Sequence, residues 1–325
     1  MDLVKLGSSD LDVSAIILGC MSYGAPDQGT HPWSLPEQES RPFIRQALDA
    51  GITTFDTANM YSDGTSEEIV GRALADFAKR DDVVIATKVF FPMGGDPASG
   101  GLSRAAIMTQ IDASLRRLGT DHVDLYQIHR LDPETPIEET MEALHDVVTA
   151  GKARYIGASS MHAWQFATAQ HAADLGGWTR FVSMQDQYNL VQREDEREML
   201  PYCLDQGVGV IPWSPLARGR LTREWDDLST SRSGTDQVTK AFYHQADESN
   251  RAISDAVGAI ATARGVSRAQ VALAWVRQQA AVTAPIVGAT KPLHLSDAID
   301  SLDLDLDADE LARLQDPYVP RLPEF

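Results

Sequence analysis

Short apolar runs rich in β-branched residues alternate along the chain with longer segments of helical period. The runs are Ala15 to Leu18, Ile52 to Phe55, Val83 to Thr87, Val123 to Ile128, Ala153 to Gly157, Phe181 to Met184, Val208 to Pro212 and Ala284 to Val287. Continuous hydrophobic strands separated by helical stretches predict a parallel sheet covered by helices. Eight such units predict an α/β fold of the closed (β/α)8, or TIM barrel, type. Pro36-Glu37-Gln38-Glu39 opens a helical segment carrying Phe43, Ala47 and Leu48, and Thr65-Ser66-Glu67-Glu68 places acids in a first turn. Ser103 to Leu118 reads as an amphipathic helix stopped by Gly119. Ahead of the first unit, Val4 to Gly7 and Leu11 to Val13 flank polar turn residues and predict an N-terminal β-hairpin closing the barrel's bottom. After the last unit, Asp307 to Leu314 predicts one more helix and Pro317 to Phe325 an extended tail.

Two segments exceed a minimal barrel. Phe91 to Gly101 holds four glycines and two prolines, and Leu216 to Asn250 is long and polar. Long loops in compact folds commonly carry function. Trp225, Phe242 and Tyr243 in the second favour a lid that packs over something.

Composition narrows the partners. The chain has 325 residues, 43% of them hydrophobic, enough for a sizeable core; the eight units favour one barrel domain over 1–325 rather than two smaller ones. A net charge of −19 opposes binding to nucleic acid or to an anionic membrane surface. Only Cys20 and Cys203 are present, the opening Met1 to Lys5 has no apolar signal core, and no apolar run approaches bilayer length. A reduced, cytoplasmic, soluble protein is the expectation, as monomer or homo-oligomer.

Asp56, Tyr61, Lys88 and His129 each stand at or just past the C-terminal end of a predicted strand, where such a barrel builds its active site. Together they make a proton-delivery device: Tyr61 donates to a carbonyl oxygen, Lys88 stabilises the phenolate, Asp56 pairs with Lys88 and His129 polarises or orients the carbonyl. That scheme needs no metal. Taken singly, Asp56 and Lys88 also fit a barrel-end salt bridge, Tyr61 a loop cap and His129 a satisfied histidine; four at the ends of strands weigh against that.

Gly51-Ile-Thr-Thr-Phe-Asp56-Thr-Ala-Asn-Met-Tyr61, Ile85-Ala-Thr-Lys88, Asp124-Leu-Tyr-Gln-Ile-His129 and Ile211-Pro-Trp-Ser-Pro-Leu-Ala-Arg-Gly219 resemble the signature segments of the aldo-keto reductase superfamily, in its order and spacing, from Leu3 to the final helix. Tyr155-Ile-Gly-Ala-Ser-Ser160 and the run from Pro212 to Leu221 resemble bacterial members near the potassium-channel β-subunit branch. The resemblance implies NADPH-dependent reduction of a small-molecule aldehyde or ketone, in a barrel without a Rossmann domain. No strand-linked Gly-x-Gly-x-x-Gly is present; Gly207-Val-Gly209 is followed by Pro212. By family position, Ser159 and Gln185 hold the nicotinamide amide, with Ser160 where many members have asparagine, and Trp213 stacks on the ring. Gly19, Cys20, Met21 and Asp56 border the same cofactor. Ser214, Pro215, Leu216, Arg218, Gly219 and Arg220 take the pyrophosphate and ribose. Gly288, Thr290, Lys291, His294 and Asp297 form the adenosine site, with Lys291 on the 2′-phosphate, which implies NADPH over NADH. His294 stands where glutamine is common and Ala298 where asparagine often contacts adenine.

Tyr23, Trp33, Met60, Phe90, Phe91 and His162, with Met21, are candidate pocket walls, a lining that suits an aromatic or medium-chain aldehyde. Two other functions stand beside the reductase: an NADP(H)-sensing regulatory protein of slow turnover, and a lyase or isomerase in which Lys88 forms a Schiff base.

Overall fold

A computed structural model describes residues 1–29, 31–227, Tyr243 and 246–322. Strands β1 (Leu3–Lys5) and β2 (Asp12–Ser14) pair antiparallel, with Leu3 opposite Ser14 and Lys5 opposite Asp12. The other strands form one all-parallel sheet: β3 (Ile17–Gly19), β4 (Thr54–Asp56), β5 (Val84–Val89), β6 (Val123–Ile128), β7 (Ala153–Ser159), β8 (Ser183–Gln185), β9 (Gly209–Val210) and β10 (Ile286–Gly288). They lie side by side in chain order, and β10 returns to pair with β3, Ile286 beside Ile17 and Gly288 beside Gly19. The amide of Thr283 donates to the Val210 carbonyl at 2.8 Å and that of Ile286 to the Pro212 carbonyl at 3.0 Å, which closes the ring. All eight expected units are present, shifted by a residue or two. The run from Val208 to Pro212 shrinks to Gly209–Val210 because Pro212 has no N–H for a ladder.

Helices α1 (Glu37–Asp49), α2 (Thr65–Phe77), α3 (Arg104–Leu118), α4 (Ile137–Thr149), α5 (Ala163–Gly176), α6 (Met199–Gln206), α7 (Asp247–Arg264), α8 (Arg268–Arg277), α9 (Pro292–Asp300) and α10 (Ala308–Gln315) are the helical segments among the described residues. The expected stop and start signals act locally. Ser103 Oγ accepts from the Ala106 amide at 3.3 Å, and Gly119 ends α3 in the left-handed region at φ 67°. Asp307 and Glu310 cap α10 reciprocally, each carboxylate accepting the other's amide at 2.9 Å. Of the two acids in the first turn of α2, Glu67 is buried. It accepts from Thr87 Oγ1 at 2.6 Å and from Arg117 Nε at 2.6 Å, tying α2 to β5 and α3.

The hairpin closes the barrel's bottom as expected. Leu6, Leu11 and Val13 pack with Ile17, Ala86, Leu125, Ile211, Ala284 and Ile286 in one apolar plug. The amide of Ser8 donates to the Gly207 carbonyl at 2.7 Å. Gly7, at φ 60°, lies so close that a β-carbon there would meet that carbonyl at 2.3 Å.

In the long polar segment, Trp225 donates through Nε1 to Asp247 Oδ1 at 2.7 Å and lies 4.1 Å under Arg220. The Tyr243 hydroxyl accepts from Gln187 Nε2 at 2.8 Å. These two aromatics are buried in the core cluster, and Phe242 lies outside the described residues. The tail is pinned by the buried Glu194, which accepts from the Tyr318 hydroxyl and the Arg321 amide, each at 2.8 Å; residues 323–325 lie outside the described residues. Among the described residues no helix is long and apolar enough to cross a membrane.

Candidate active site

The parallel strands deliver their last residues to one mouth. Gly19, Asp56, Ser159, Gln185 and Gly288 each terminate a strand, Lys88 is the penultimate residue of β5, and His129 directly follows β6. Tyr61 opens a short 3-10 turn before α2.

At the centre, Lys88 is fully buried and its Nζ donates to Asp56 Oδ2 at 2.5 Å, to the Thr57 carbonyl at 2.8 Å and to the Tyr61 hydroxyl at 3.4 Å. The other carboxylate oxygen of Asp56 accepts from Gln127 Nε2 and Gln185 Nε2, both at 3.0 Å. His129 meets Tyr61 edge to face, with ring centroids 5.7 Å apart. The expected catalytic quartet is therefore one contiguous cluster.

Electrostatics assign protonation states. Burial works against the Lys88 ammonium, but Asp56 and Tyr61 more than offset it and hold its pKa above the ordinary lysine value. A lysine kept charged and paired is a poor amine nucleophile, so the geometry disfavours Schiff-base chemistry at Lys88. Burial also raises the Tyr61 phenol, with Lys88 pulling it back and Asp56 adding to the rise. The neighbouring cation alone predicts a lowered phenol; the net direction is upward because Lys88 comes with its own carboxylate in a water-poor site. Burial, then Lys88 and Arg130, press the His129 imidazole well below the usual histidine range, and its Nδ1 is buried without a partner. At neutral pH the cluster thus offers a protonated phenol, an ammonium–carboxylate pair and a neutral imidazole. That is a proton donor with a polar guide.

Of the expected cofactor residues, Gly19, Asp56, Ser159, Gln185 and Gly288 stand at strand ends. Ser159 Oγ donates to the Gln185 carbonyl at 2.6 Å, and Trp213 Nε1 donates to Ser160 Oγ at 3.1 Å, fixing the indole beside the strand ends. Ser214, Ala217, Arg218 and Gly219 all have left-handed backbone, at φ 53°, 47°, 55° and 88°. Within this turn the Ala217 amide donates to the Ser214 carbonyl and the Gly219 amide to the Leu216 carbonyl, each at 2.9 Å. Arg220 Nε is buried and unpartnered. Pro215 is buried, Leu216 half-buried. Lys291 is exposed at the start of α9, with Asp297 further along that helix, and His294 Nδ1 accepts from the Thr290 amide at 3.2 Å, which commits that histidine to the loop. Arg218, Arg220 and Lys291 are the basic side chains at the expected phosphate positions.

One expected side chain is placed elsewhere. Tyr23 is fully buried and stacks on Phe43 at 6.3 Å, because its bridge to Leu35 folds the loop back against α1; it belongs to the core and not to a pocket wall. His162 is exposed at the start of α5, where its amide donates to Gln165 Oε1 at 2.9 Å. Cys20 is buried, its Sγ directed to the Leu18 carbonyl at 3.5 Å, so only its backbone borders the mouth; Met21 beside it is half-buried. Phe91 does reach the cluster, 5.0 Å from the His129 ring and 5.1 Å from Phe90. A cavity of about 230 Å³ edged by Gly29, Met60, Asp63, Pro92, Gly94 and Gly95 opens beside it. Trp33 joins the cluster through His31, which lies 5.0 Å from Trp33 and 6.4 Å from Tyr61.

Four residues of the site carry no expectation from the sequence: Gln127, Asp186, Arg130 and His31. Gln127 does have a signal there, since it is the penultimate residue of the strand that His129 follows, two positions before it. Asp186 Oδ1 accepts from the Ser160 amide at 2.6 Å, while Oδ2 is buried without a partner, and burial pushes its carboxyl up to about 7. Among the described residues no cluster of three or more His, Cys, Asp or Glu is arranged to hold a metal ion.

Comparison with known families matches residues 15–318 to the aldo/keto reductase family. Versiconal hemiacetal acetate reductase of Aspergillus parasiticus is 48% identical over 99% of this chain and 98% of that protein. An aldo-keto reductase of Alternaria alternata is 44% identical over 98% of this chain and 92% of its own. A Schizosaccharomyces pombe protein bearing an aryl-alcohol dehydrogenase name is 44% identical over 97% and 95%. These relatives are fungal, so the expected nearness to bacterial members of the channel β-subunit branch finds no support among them.

Proposed function

The chain belongs to the aldo/keto reductase family, whose members act as oxidoreductases on carbonyl compounds, and from that premise we propose that it reduces aldehydes and ketones to alcohols with NADPH, Tyr61 supplying the proton. One observation carries the reading: Asp56, Lys88 and Tyr61 form an unbroken buried hydrogen-bond chain whose phenol faces His129.

Bound NADPH would supply the hydride. The protein's part begins with position. Trp213, held by Ser160, offers a π-face that fixes one side of the nicotinamide ring, and Ser159 and Gln185 offer amide contacts. Ser214 to Arg220 receive the pyrophosphate, and Lys291 the 2′-phosphate, the source of the proposed preference for NADPH over NADH. A substrate carbonyl then lies between the Tyr61 hydroxyl and neutral His129. As negative charge grows on its oxygen, the phenol gives up its proton, and the ammonium of Lys88 stabilises the phenolate left behind. Asp56, clamped by Gln127 and Gln185, keeps that ammonium aimed. Phe90, Phe91, Trp33 and Met60 form the apolar approach, suited to an aryl or medium-chain aldehyde.

The direct test follows NADPH oxidation with 4-nitrobenzaldehyde by the wild type and by Tyr61→Phe, with NADH as the comparison. Removing the acid should lower kcat about 10²- to 10⁴-fold while NADPH binding survives. A variant that keeps full turnover removes Tyr61 from the chemistry. A wild type that binds NADPH but reduces no carbonyl favours the NADP(H)-sensing role.

A further inference from the structure

We propose that Arg130 is a specificity-determining residue that selects carbonyl substrates carrying an anionic oxygen, a carboxylate or ionised phenol, across an aryl ring from the carbonyl. This rests on the reductase reading of the site and names the class of substrate it takes.

Arg130 follows His129 directly at the mouth of the barrel. Its guanidinium lies 5.9 Å from the centroid of the Phe91 ring, and that ring is 5.0 Å from the His129 imidazole. One aromatic side chain thus touches both the carbonyl guide and the cation, so a substrate ring in the same mouth can do likewise. The other cations of the centre are already matched: Lys88 by Asp56 at 2.5 Å, Arg117 by Glu67 at 2.6 Å. Arg130 has no ion pair among the described residues. Its one hydrogen bond runs from Nη1 to the His129 carbonyl at 2.7 Å. A guanidinium carries five N–H donors, so most of its fork is left for a ligand.

That arrangement is costly unless something accepts from it. Arg130 is half-buried, and desolvation, only partly countered by Tyr61 and Asp186, lowers its pKa; an arginine nevertheless stays charged. Asp186 acts on it without forming an ion pair, its Oδ1 taken by the Ser160 amide and its Oδ2 unpartnered. A half-buried cation lacking a carboxylate partner beside a reaction centre is placed to receive one from the substrate, and the planar fork suits a bidentate carboxylate. In a molecule of net charge −19 the overall field repels such a substrate, so a local cation is what admits it.

The test compares 4-carboxybenzaldehyde with its neutral methyl ester, methyl 4-formylbenzoate, using NADPH and the wild type, Arg130→Met and Arg130→Gln. The readout is the ratio of kcat/KM for acid to ester. Both variants should lower that ratio about tenfold, chiefly through KM for the acid, the scale of a lost charge-assisted pair. The glutamine keeps length and hydrogen bonding without charge, so it decides the matter if the methionine variant does not fold. An unchanged ratio, with equal losses on both aldehydes, would overturn the proposal and leave Arg130 as a support for His129. A wild type that reduces neither aldehyde, nor 4-nitrobenzaldehyde, would instead sink the reductase reading and this inference with it.

Discussion

The two ends of the barrel are built from the same strands and solve opposite problems. At the bottom, Leu6, Leu11 and Val13 of the hairpin press onto Ile17, Leu125, Ile211 and Ile286, and the opening is filled with hydrocarbon. At the top, Asp56, Ser159 and Gln185 end their strands and Lys88 is one residue short of the end of its own, and an ammonium and a carboxylate are buried together. Apolar filling needs no exact partner, whereas a buried ion pair is tolerated only when further hydrogen bonds satisfy both ions. Here Asp56 accepts three hydrogen bonds and Lys88 donates three, which is why the polar end holds. The lesson is a division of labour: the bottom contributes stability and the top keeps preorganised charge.

The sharpest way to break that division is Lys88→Met. It removes the cation that stabilises the developing phenolate and leaves Asp56 buried against two glutamine amides alone. Turnover of 4-nitrobenzaldehyde should fall by about 10³-fold or more, and unfolding free energy by about 3 to 5 kcal/mol. Stopped-flow NADPH oxidation and urea unfolding read the two effects; loss of one without the other would separate the stabilising role of the pair from its chemical role.

At the opposite end, Leu6→Ala should cost about 2 to 5 kcal/mol in unfolding free energy, through lost burial and a cavity in the plug. Below its melting range the variant should keep wild-type kcat/KM. A kcat that falls in proportion to the lost stability, well below that range, would mean that the ends are mechanically coupled and the division false.

The pH dependence sharpens the top alone. Reduction requires a protonated phenol, and Tyr61 is raised above its ordinary value by burial. The rate of reduction should therefore stay level through neutral pH and decline only above about pH 10, while oxidation of the alcohol rises over the same range. His129 is already neutral, so no step should appear near the ordinary histidine range of about pH 6 to 7. A drop in reduction at about pH 7 to 8 would place another group in control.

Much of this architecture is legible in the amino-acid sequence. Strands buried on both faces read as unbroken apolar runs, so all eight barrel strands stand out, and the quartet is legible because titratable side chains at strand ends are rare and consecutive. Direction is not legible. Tyr23 follows β3 as closely as any wall residue should, yet it turns inward onto Phe43, since the bridge to Leu35 sets where the loop goes. Trp225 reads as a lid residue by its aromaticity, and it is buried against Arg220 and Asp247. Gln127 carries no charge to attract notice, although it holds one side of Asp56.

The smallest expected effect is also the most specific to the polar end. Asp186 is buried beneath Ser160 and Trp213 with one oxygen unpartnered, and burial raises its carboxyl to about 7, against about 3.9 in an unfolded chain. Because the folded value is the higher one, the folded state holds its proton more tightly. The associated stability is present in full below about pH 4 and is lost as pH rises through about 7. Asp186→Asn keeps an oxygen for the Ser160 amide and cannot ionise. Its Tm relative to the wild type should therefore rise between about pH 4 and about pH 8, by a few degrees at most, when the two are melted side by side in matched buffers. No comparable pH term exists in the hydrocarbon plug, so Leu6→Ala should show a constant Tm deficit across the same range. A flat difference for Asp186→Asn would mean that the carboxyl is ionised and satisfied at neutral pH, and the top of the barrel would then hold its charge at less cost than its geometry indicates.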